Sequence, residues 1–312
     1  MTPGDVRGIK SAVRETIARR GIFPLSAPQY PEGVGLGIGR REDGEHVLVV
    51  RATSLEAAEP MAALAPEGER NVRIVTVTKR PTLKQRLQSR IRPLEAGLQI
   101  GMAARPFVGT LGGFGRDRVS RRLGIVTNSH VGADEGRATI GHRTGQPFGT
   151  TGDLVSVLER HVPLSLVSRN IVDAAFLRVD ESIVTAPSLN GAINANLSGT
   201  YLGPAEDLLG VEVLKIGRTT EATKGRVTAV EVDGLSVGYD QGLMRFDDQI
   251  EVSGGPTSDF SGPGDSGSFV VLRDGRVVAL LFAGGRDASG EDFTYANPFR
   301  EVLDRLDVEL AV

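Results

Sequence analysis

Apolar residues recur at three- and four-residue spacing near both ends of the chain. Val6, Ile9, Val13 and Ile17 form one stripe ahead of Gly21, with Thr2 placed to cap and Pro3 suited to a first turn. That spacing predicts a helix with one face that must pack on something. Phe299, Val302, Leu303, Leu306 and Leu310 predict a second helix, capped at Asn297-Pro298. Between them the period changes to two. In Gly33–Gly39, Val34, Leu36 and Ile38 share one face of a strand and glycines line the other. Asp43-Gly44 is a turn signal, His46–Ala52 reads as the returning strand, and a third strand is expected over Asn71–Thr78. Helix plus strands predict a small α+β unit over residues 1–80. The repeated glycines do not make a phosphate loop, because Arg40 to Glu45 leads to another strand and not to a helix.

Lys79, Arg80, Lys84, Arg86, Arg90 and Arg92 follow with no acid among them, and Leu83, Leu87 and Ile91 fall four apart. Residues 81–97 are therefore expected to be a basic, solvated linker, with a short helix possible. From Leu98 onward short strands alternate with turns: Leu123–Thr127, Ile171–Val179, Val211–Ile216, Gly225–Val232, Ser268–Leu272 and Val277–Ala283, the last two joined by Asp274-Gly275. Residues 98–312 thus predict a mainly β body, a pair of small barrels with a C-terminal helix.

Composition removes several classes of function. The 312 residues are 40% hydrophobic and 24% charged with net charge −3, so nothing draws the chain generally to nucleic acid or to anionic lipid. Glycine at 40 and proline at 16, against 11 Phe, 4 Tyr and no Trp, fit many turns and short strands. Cysteine is absent, which excludes disulfides and thiolate metal sites. The first residues lack an apolar signal core and no apolar run approaches a membrane span, so a cytoplasmic protein is expected.

The candidate chemistry centres on Gly264-Asp-Ser-Gly267. A serine hydroxyl is a poor nucleophile unless a base takes its proton and donors meet the oxyanion it creates. Glycines on both sides of Ser266 let the backbone turn sharply, so that the N–H groups of Gly264 and Ser266 can form an oxyanion hole. His130 directly follows the apolar strand Leu123–Thr127, where a sheet can hold an imidazole still. Asp173 heads another apolar strand, where a carboxylate is costly unless paired. Pairing Asp173 with the imidazole would fix its tautomer and leave its second nitrogen for Ser266. His142 and His161 have no partner at ligand spacing, so no metal is expected.

These motifs, in the order His, Asp, Ser, resemble those of the chymotrypsin-like (trypsin-like) serine peptidases. Thr127-Asn-Ser-His130 is similar to that family's histidine motif, Asp173-Ala-Ala-Phe-Leu177 to its aspartate strand, and Gly264-Asp-Ser-Gly267 to its nucleophile motif. Lys215-Ile-Gly-Arg-Thr-Thr220 and Gly225-Arg-Val227 look like the opening of the second barrel in bacterial members. The leader, with Arg92–Gly101 and Gly109-Thr-Leu-Gly-Gly113, resembles more narrowly the intracellular bacterial members related to the plant narrow-leaf protein.

The resemblance implies two six-stranded barrels with a cleft between them, and peptide hydrolysis through an acyl-enzyme on Ser266, with no cofactor. His130 would carry the proton and Asp173 would orient it. Two departures change the expectation. Some 80 residues precede the barrels and no maturation sequence is evident, so Asp265 must be held by something other than a new amino terminus. Phe260 stands where trypsin-type members place an acid, with Asp259 one position away. Basic-residue specificity is therefore not implied, and a pocket of Phe260, Phe282 and Gly284 would suit a small or apolar side chain. A silent double-barrel binding scaffold, or an esterase using the same triad, are the alternatives. The leader would restrain a cytoplasmic endopeptidase by binding a regulatory partner, by self-association or by covering the cleft.

Overall fold

The structure is a computed structural model and describes residues 2–19, 35–41, 43–52, 59, 62–63, 65, 72–76, 86–255, 258–288 and 290–312. It divides into two compact units, Met1–Leu83 and Lys84–Val312.

In the first unit, helix α1 (Pro3–Arg19) accompanies strands β1 (Gly35–Arg40), β2 (His46–Ala52) and β3 (Val72–Thr76). β1 and β2 are antiparallel, and β3 joins β2 in parallel. Thr2 does cap the helix: its hydroxyl accepts the Asp5 N–H at 3.2 Å while Asp5 reaches back to the Thr2 backbone N–H at 2.7 Å. Val6, Ile9 and Val13 pack on Leu48 and Val50. The expected helix stop at Gly21, the residues Gly33, Val34 and Asn71, and the basic stretch 79–85 lie outside the described residues.

In the second unit, one sheet contains β4 (Gln99–Met102), β5 (Val108–Thr110), β6 (Gly113–Asp117), β7 (Leu123–Thr127), β8 (Arg143–Gly145), β9 (Leu154–His161) and β10 (Ala175–Val179). The one-turn helix α2 (Ser129–Gly132) follows β7. The strand order is β6-β7-β10-β9-β8-β4-β5. Only Leu111-Gly112 separates β5 from β6, so the sheet curls round towards its own start.

Two short hairpin strands, β11 (Leu189–Asn190) and β12 (Ala195–Asn196), precede the second sheet. That sheet is built from β13 (Gly199–Thr200), β14 (Glu212–Gly217), β15 (Glu221–Val232), β18 (Gln249–Ser253), β19 (Phe269–Val271), β20 (Arg276–Arg286) and β21 (Asp292–Pro298). Its order is β13-β20-β19-β14-β15-β18-β21, and the extra pairing of β21 with β20 closes it into a six-stranded barrel. A separate hairpin, β16 (Leu235–Tyr239) and β17 (Gly242–Phe246), projects between β15 and β18. The expected mainly β double-barrel class with a preceding α+β unit therefore holds, but of the two six-stranded barrels expected only the second is closed, the first being a half-barrel whose edge strands, among the described residues, do not pair.

Each barrel has its own core, one around Ile100, Phe114, Ile125 and Leu177, the other around Val227, Val252, Phe260 and Leu281. A third cluster joins them: Val126 and Phe176 from the first barrel meet Phe269 and Leu280 from the second. Helix α3 (Phe299–Leu306) seals that seam, with the Phe299 ring 4.7 Å from that of Phe269. Burying each of these aromatics is worth about 1.5–3 kcal/mol, so the seam is a stabilised interface in its own right.

Three expectations are corrected. Leu310 does not belong to the last helix, which ends where Asp307 takes φ 51°. Val308–Leu310 instead forms β22 and pairs with β6. Asn297 does not cap that helix either, because its side chain is used elsewhere. Finally, the described part of the basic linker is not solvated throughout: Arg86 and Arg90 are exposed, but Leu87, Leu94 and Ala96 are buried, and only a single tight turn, Arg86–Gln88, is helical. The apolar residues among the charges dock this stretch on the first barrel, where Ile91 N–H donates to Gln146 Oε1 at 3.0 Å.

Candidate active site

The end of β7 and the head of β10 lie side by side, because those strands pair from Ala175–Thr127 onward. This register puts His130 next to Asp173, and His130 Nδ1 lies 2.5 Å from Asp173 Oδ2. Asp173 is fully buried, whereas the His130 side chain is a quarter exposed. The carboxylate is saturated with donors. Oδ1 accepts the N–H of Ser129 at 2.6 Å and of His130 at 3.2 Å; Oδ2 accepts Tyr239 Oη–H at 2.8 Å besides the imidazole. Such a carboxylate holds its proton-free form and fixes the ring with Nδ1 protonated and Nε2 open as acceptor.

The electrostatics agree with that arrangement. Burial is the largest influence on both groups and opposes both charges, but their mutual attraction outweighs it. The Asp173 carboxyl lies below its usual range and the His130 imidazole above its usual 6.5, with Glu135 adding to the latter. Burial and the neighbouring Asp173 push the Tyr239 hydroxyl upward, so it remains a donor.

The backbone at Asp173 is fixed from behind. Its N–H donates to Asn297 Oδ1 at 3.0 Å, and its carbonyl accepts Asn128 Nδ2 at 2.8 Å. Asn297 is in turn held by Gln249 Oε1, to which its Nδ2 donates at 2.7 Å. Asn297 and Gln249 come from the second barrel, so the aspartate strand of the first barrel is anchored across the seam.

Ser266 reaches the same seam from the other side. Its carbonyl accepts the Thr110 N–H at 2.9 Å, and Thr110 Oγ1 donates to the Gly264 carbonyl at 2.9 Å. Gly267 has φ +96°, and a Cβ there would sit 2.3 Å from both the Thr110 carbonyl and Thr127 Oγ1. Only glycine lets the Ser266 loop come this close to the first barrel. Gly264 also needs a positive φ, of +98°. Asp265, Gly267 and Ser268 donate their N–H groups to Gly262, Leu281 and Asp265 carbonyls. By contrast, the Gly264 and Ser266 N–H groups have no acceptor among the described residues. The Ser266 hydroxyl donates to the Phe282 carbonyl at 3.4 Å, and among the described residues no hydrogen bond joins it to His130 in this conformation.

Asp265 is fully buried, and so is the lysine that holds it. Lys215 Nζ lies 3.1 Å from Asp265 Oδ2, and both side chains have no exposure. Thr219 N–H, Thr220 N–H, Thr220 Oγ1–H and Gly262 N–H complete the carboxylate's partners at 2.6–3.2 Å. Lys215 also bonds to Thr220 Oγ1 and, at 3.1 Å, to the Glu221 carbonyl. Burial lowers the lysine's pKa, and the charge of Asp265 works against that.

A cleft of about 660 Å³ opens beside Ser266, walled by Ser261, Ala283, Gly284, Phe293 and the hairpin residues Val237 and Gly238. Gly284 and Phe282 line it. Phe260 does not: its ring is fully buried in the second barrel, against the position where Gly225 lacks a side chain. The neighbours Asp259 and Ser261 face the cleft. Asp259 is already paired with Arg286 at 2.5 Å, and Ser261 Oγ shares a hydrogen bond with Thr294 Oγ1 at 2.7 Å. Among the described residues no three His, Asp or Glu side chains come together as metal ligands.

Tyr239, Lys215 and Asn297 carry parts of this site that sequence reasoning missed. Lys215 carries no clear mark in the sequence, since Leu214 and Ile216 are apolar on the opposite face, yet in the structure every second residue of Glu212–Gly217 is buried and Lys215 falls in step with Val213. A lysine on the inward face of a strand needs an anion. Tyr239 and Asn297 have no local mark either.

No protein-family model matches the chain, and no curated protein does. Among solved structures it is similar to chymotrypsin-like serine proteases at low identity. The Nocardiopsis protease NAPase shows 20% identity and a TM-score of 0.49 over 70% of this chain and 98% of its own. Thermobifida fusca protease A shows 15% identity and a TM-score of 0.49, again over 70% and 98%. Cellulomonas bogoriensis chymotrypsin shows 17% identity and a TM-score of 0.48, over 70% and 97%.

Proposed function

We propose that this protein is a cytoplasmic serine endopeptidase. The observation that carries the reading is the donor-saturated Asp173 bonded at 2.5 Å to His130, an arrangement that leaves Nε2 as the imidazole's only proton acceptor. Before attack the Ser266 hydroxyl turns from the Phe282 carbonyl to that nitrogen. Its oxygen then attacks the substrate carbonyl carbon while the proton passes to Nε2. The oxyanion meets the unused N–H groups of Gly264 and Ser266. The imidazolium gives its proton to the leaving nitrogen as the C–N bond breaks, and water, activated by the same imidazole, releases the acyl group.

A peptide is favoured over a small ester by the edge of β20. Residues 283–286 pair with β21 on one side, while β19 ends opposite Leu280, so an extended chain can add along the other side. Because Lys215 supplies the cation for Asp265, activation needs no newly cut amino terminus. The pairing of Asp259 with Arg286 supports a preference other than for basic residues. A cysteine-free chain fits the reducing cytosol. The separately cored residues 1–83 suit a regulatory or self-association module. The narrow-leaf likeness is a reading of motifs.

A fluorophosphonate probe followed by mass mapping tests the reading. Labelling at Ser266, abolished by Ser266→Ala and by His130→Ala, is expected. Asp173→Asn should remain folded and slow turnover by something like 10⁴-fold. A folded wild type that labels with no probe would favour the binding scaffold, and turnover of esters without peptides would favour the esterase.

A further inference from the structure

Tyr239 sits where three parts of the site meet. Its hydroxyl donates to the same Asp173 oxygen that receives the imidazole N–H. Its ring meets that of His130 edge-on at 6.0 Å and stacks on Phe246 at 6.0 Å. Phe246 packs at 4.7 Å on Phe282, the residue whose carbonyl receives the Ser266 hydroxyl. One chain of contacts therefore runs from Ser266 through three aromatic residues, Phe282, Phe246 and Tyr239, to the carboxylate.

The hairpin that carries Tyr239 is anchored at its tip. Asp240 N–H and Gln241 N–H donate to the Glu135 carboxylate at 2.8 and 3.3 Å, and Gln241 Nε2 donates to the Glu135 carbonyl at 2.9 Å. Arg137 Nη2 adds an ion pair to Asp240 at 3.3 Å. The other end of the same strand walls the cleft through Leu235 to Gly238. Without the tyrosine hydroxyl, Asp173 Oδ2 would keep only the imidazole, and the carboxylate would be free to swing about the backbone-held Oδ1.

We propose that Tyr239 is a positioning residue for peptide hydrolysis, holding the Asp173 carboxylate in the plane of the His130 ring from a hairpin that also forms the substrate wall. The inference rests on the reading of His130, Asp173 and Ser266 as one catalytic unit. It has a definite electrostatic sign. A hydroxyl proton directed at Oδ2 offsets part of the carboxylate's charge, so removing it strengthens the pull on the imidazolium. Among the described residues, the titratable groups facing the ring are Asp173 and Tyr239, with Glu135 in the turn after α2 and the Arg137–Asp240 pair at the hairpin tip.

The experiment uses the full chain and Tyr239→Phe, which keeps the ring and its stacking. Peptide kcat is expected to fall about 10–100-fold with KM within about threefold, the loss of one hydrogen bond to a charged group. In an Asp173→Asn background the same change should cost less than about threefold, because Tyr239 acts through the carboxylate. A purely structural role would cost the same factor in both backgrounds and overturn the proposal. The second arm is independent of turnover. In Ser266→Ala protein, histidine NMR should show the His130 ring titrating about half a unit to one unit higher when Tyr239 becomes Phe. An unchanged or lower value refutes the proposal. If the wild type neither labels nor turns over, the hydrolase reading fails, and this titration still decides whether Tyr239 holds Asp173.

Discussion

Replacing Lys215 by Met keeps most of the side-chain volume and removes the only cation that touches Asp265 among the described residues. At 3.1 Å, with the effective dielectric of about 20 that suits such sites, the direct attraction is about 5 kcal/mol. Stranding one member of a buried pair costs about 3–5 kcal/mol. Asp265 keeps four other donors, which partly replace water, so the lower end applies and about 3 kcal/mol is expected. That is a large part of the roughly 5–15 kcal/mol that holds a typical domain folded. Urea unfolding of wild type and variant, followed by two probes, reads the deficit from the shift in midpoint at constant slope. Turnover should fall at least about tenfold, because Asp265 lies between Gly264 and Ser266, the proposed oxyanion donors, and moves them if it moves. Lys215→Met/Asp265→Asn removes the stranded charge and should recover more than half of the lost stability. A single variant within about 1 kcal/mol of wild type, at full activity, would refute the idea that this ion pair sets the nucleophile loop.

The remaining expectations are narrower. The acid limb of kcat/KM should have a midpoint above the ordinary histidine value, because Asp173 outweighs burial at His130, and Asp173→Asn should move that midpoint down. The same raised pKa adds stability below about pH 6.5 that is lost as pH rises through the folded-state value, which calorimetry across pH 5–9 can read. Gly267→Ala should cost at least about 2 kcal/mol, from a positive φ and a Cβ 2.3 Å from two oxygens, visible as a lowered melting temperature.

The parts of the site legible in the sequence are those with local marks. His130 follows an apolar strand, Asp173 is a costly charge at the head of another, and Ser266 lies between glycines; each is a departure from the pattern around it. Strand His46–Ala52, after the turn signal Asp43-Gly44, and the apolar strand Leu123–Thr127 are likewise readable to the residue. What escaped depends on contacts distant in the chain. Asn297 looked like a helix cap because Asn-Pro before an apolar stripe usually is one, yet its amide is drawn across the seam to Asp173. Phe260 looked like a pocket residue by its distance from Ser266, but the closing of the second barrel turns its ring inward. Leu310 kept helical spacing while Asp307 had already ended the helix.

These distant contacts make the site a property of the docked barrels. Thr110 from the first barrel binds both the Gly264 and Ser266 carbonyls of the second, while Asn297 and Tyr239 from the second barrel and its hairpin hold Asp173 of the first. Each half therefore lacks something that the other supplies: the aspartate lacks its anchor and the Ser266 loop its support. Neither barrel alone could keep Asp173 buried and charged, because two of its fixed partners would be water. The geometry of the proposed site and the stability of the seam are thus set by the same hydrogen bonds, and a substitution that loosens Phe269 against Phe299 should lower turnover before it unfolds either barrel.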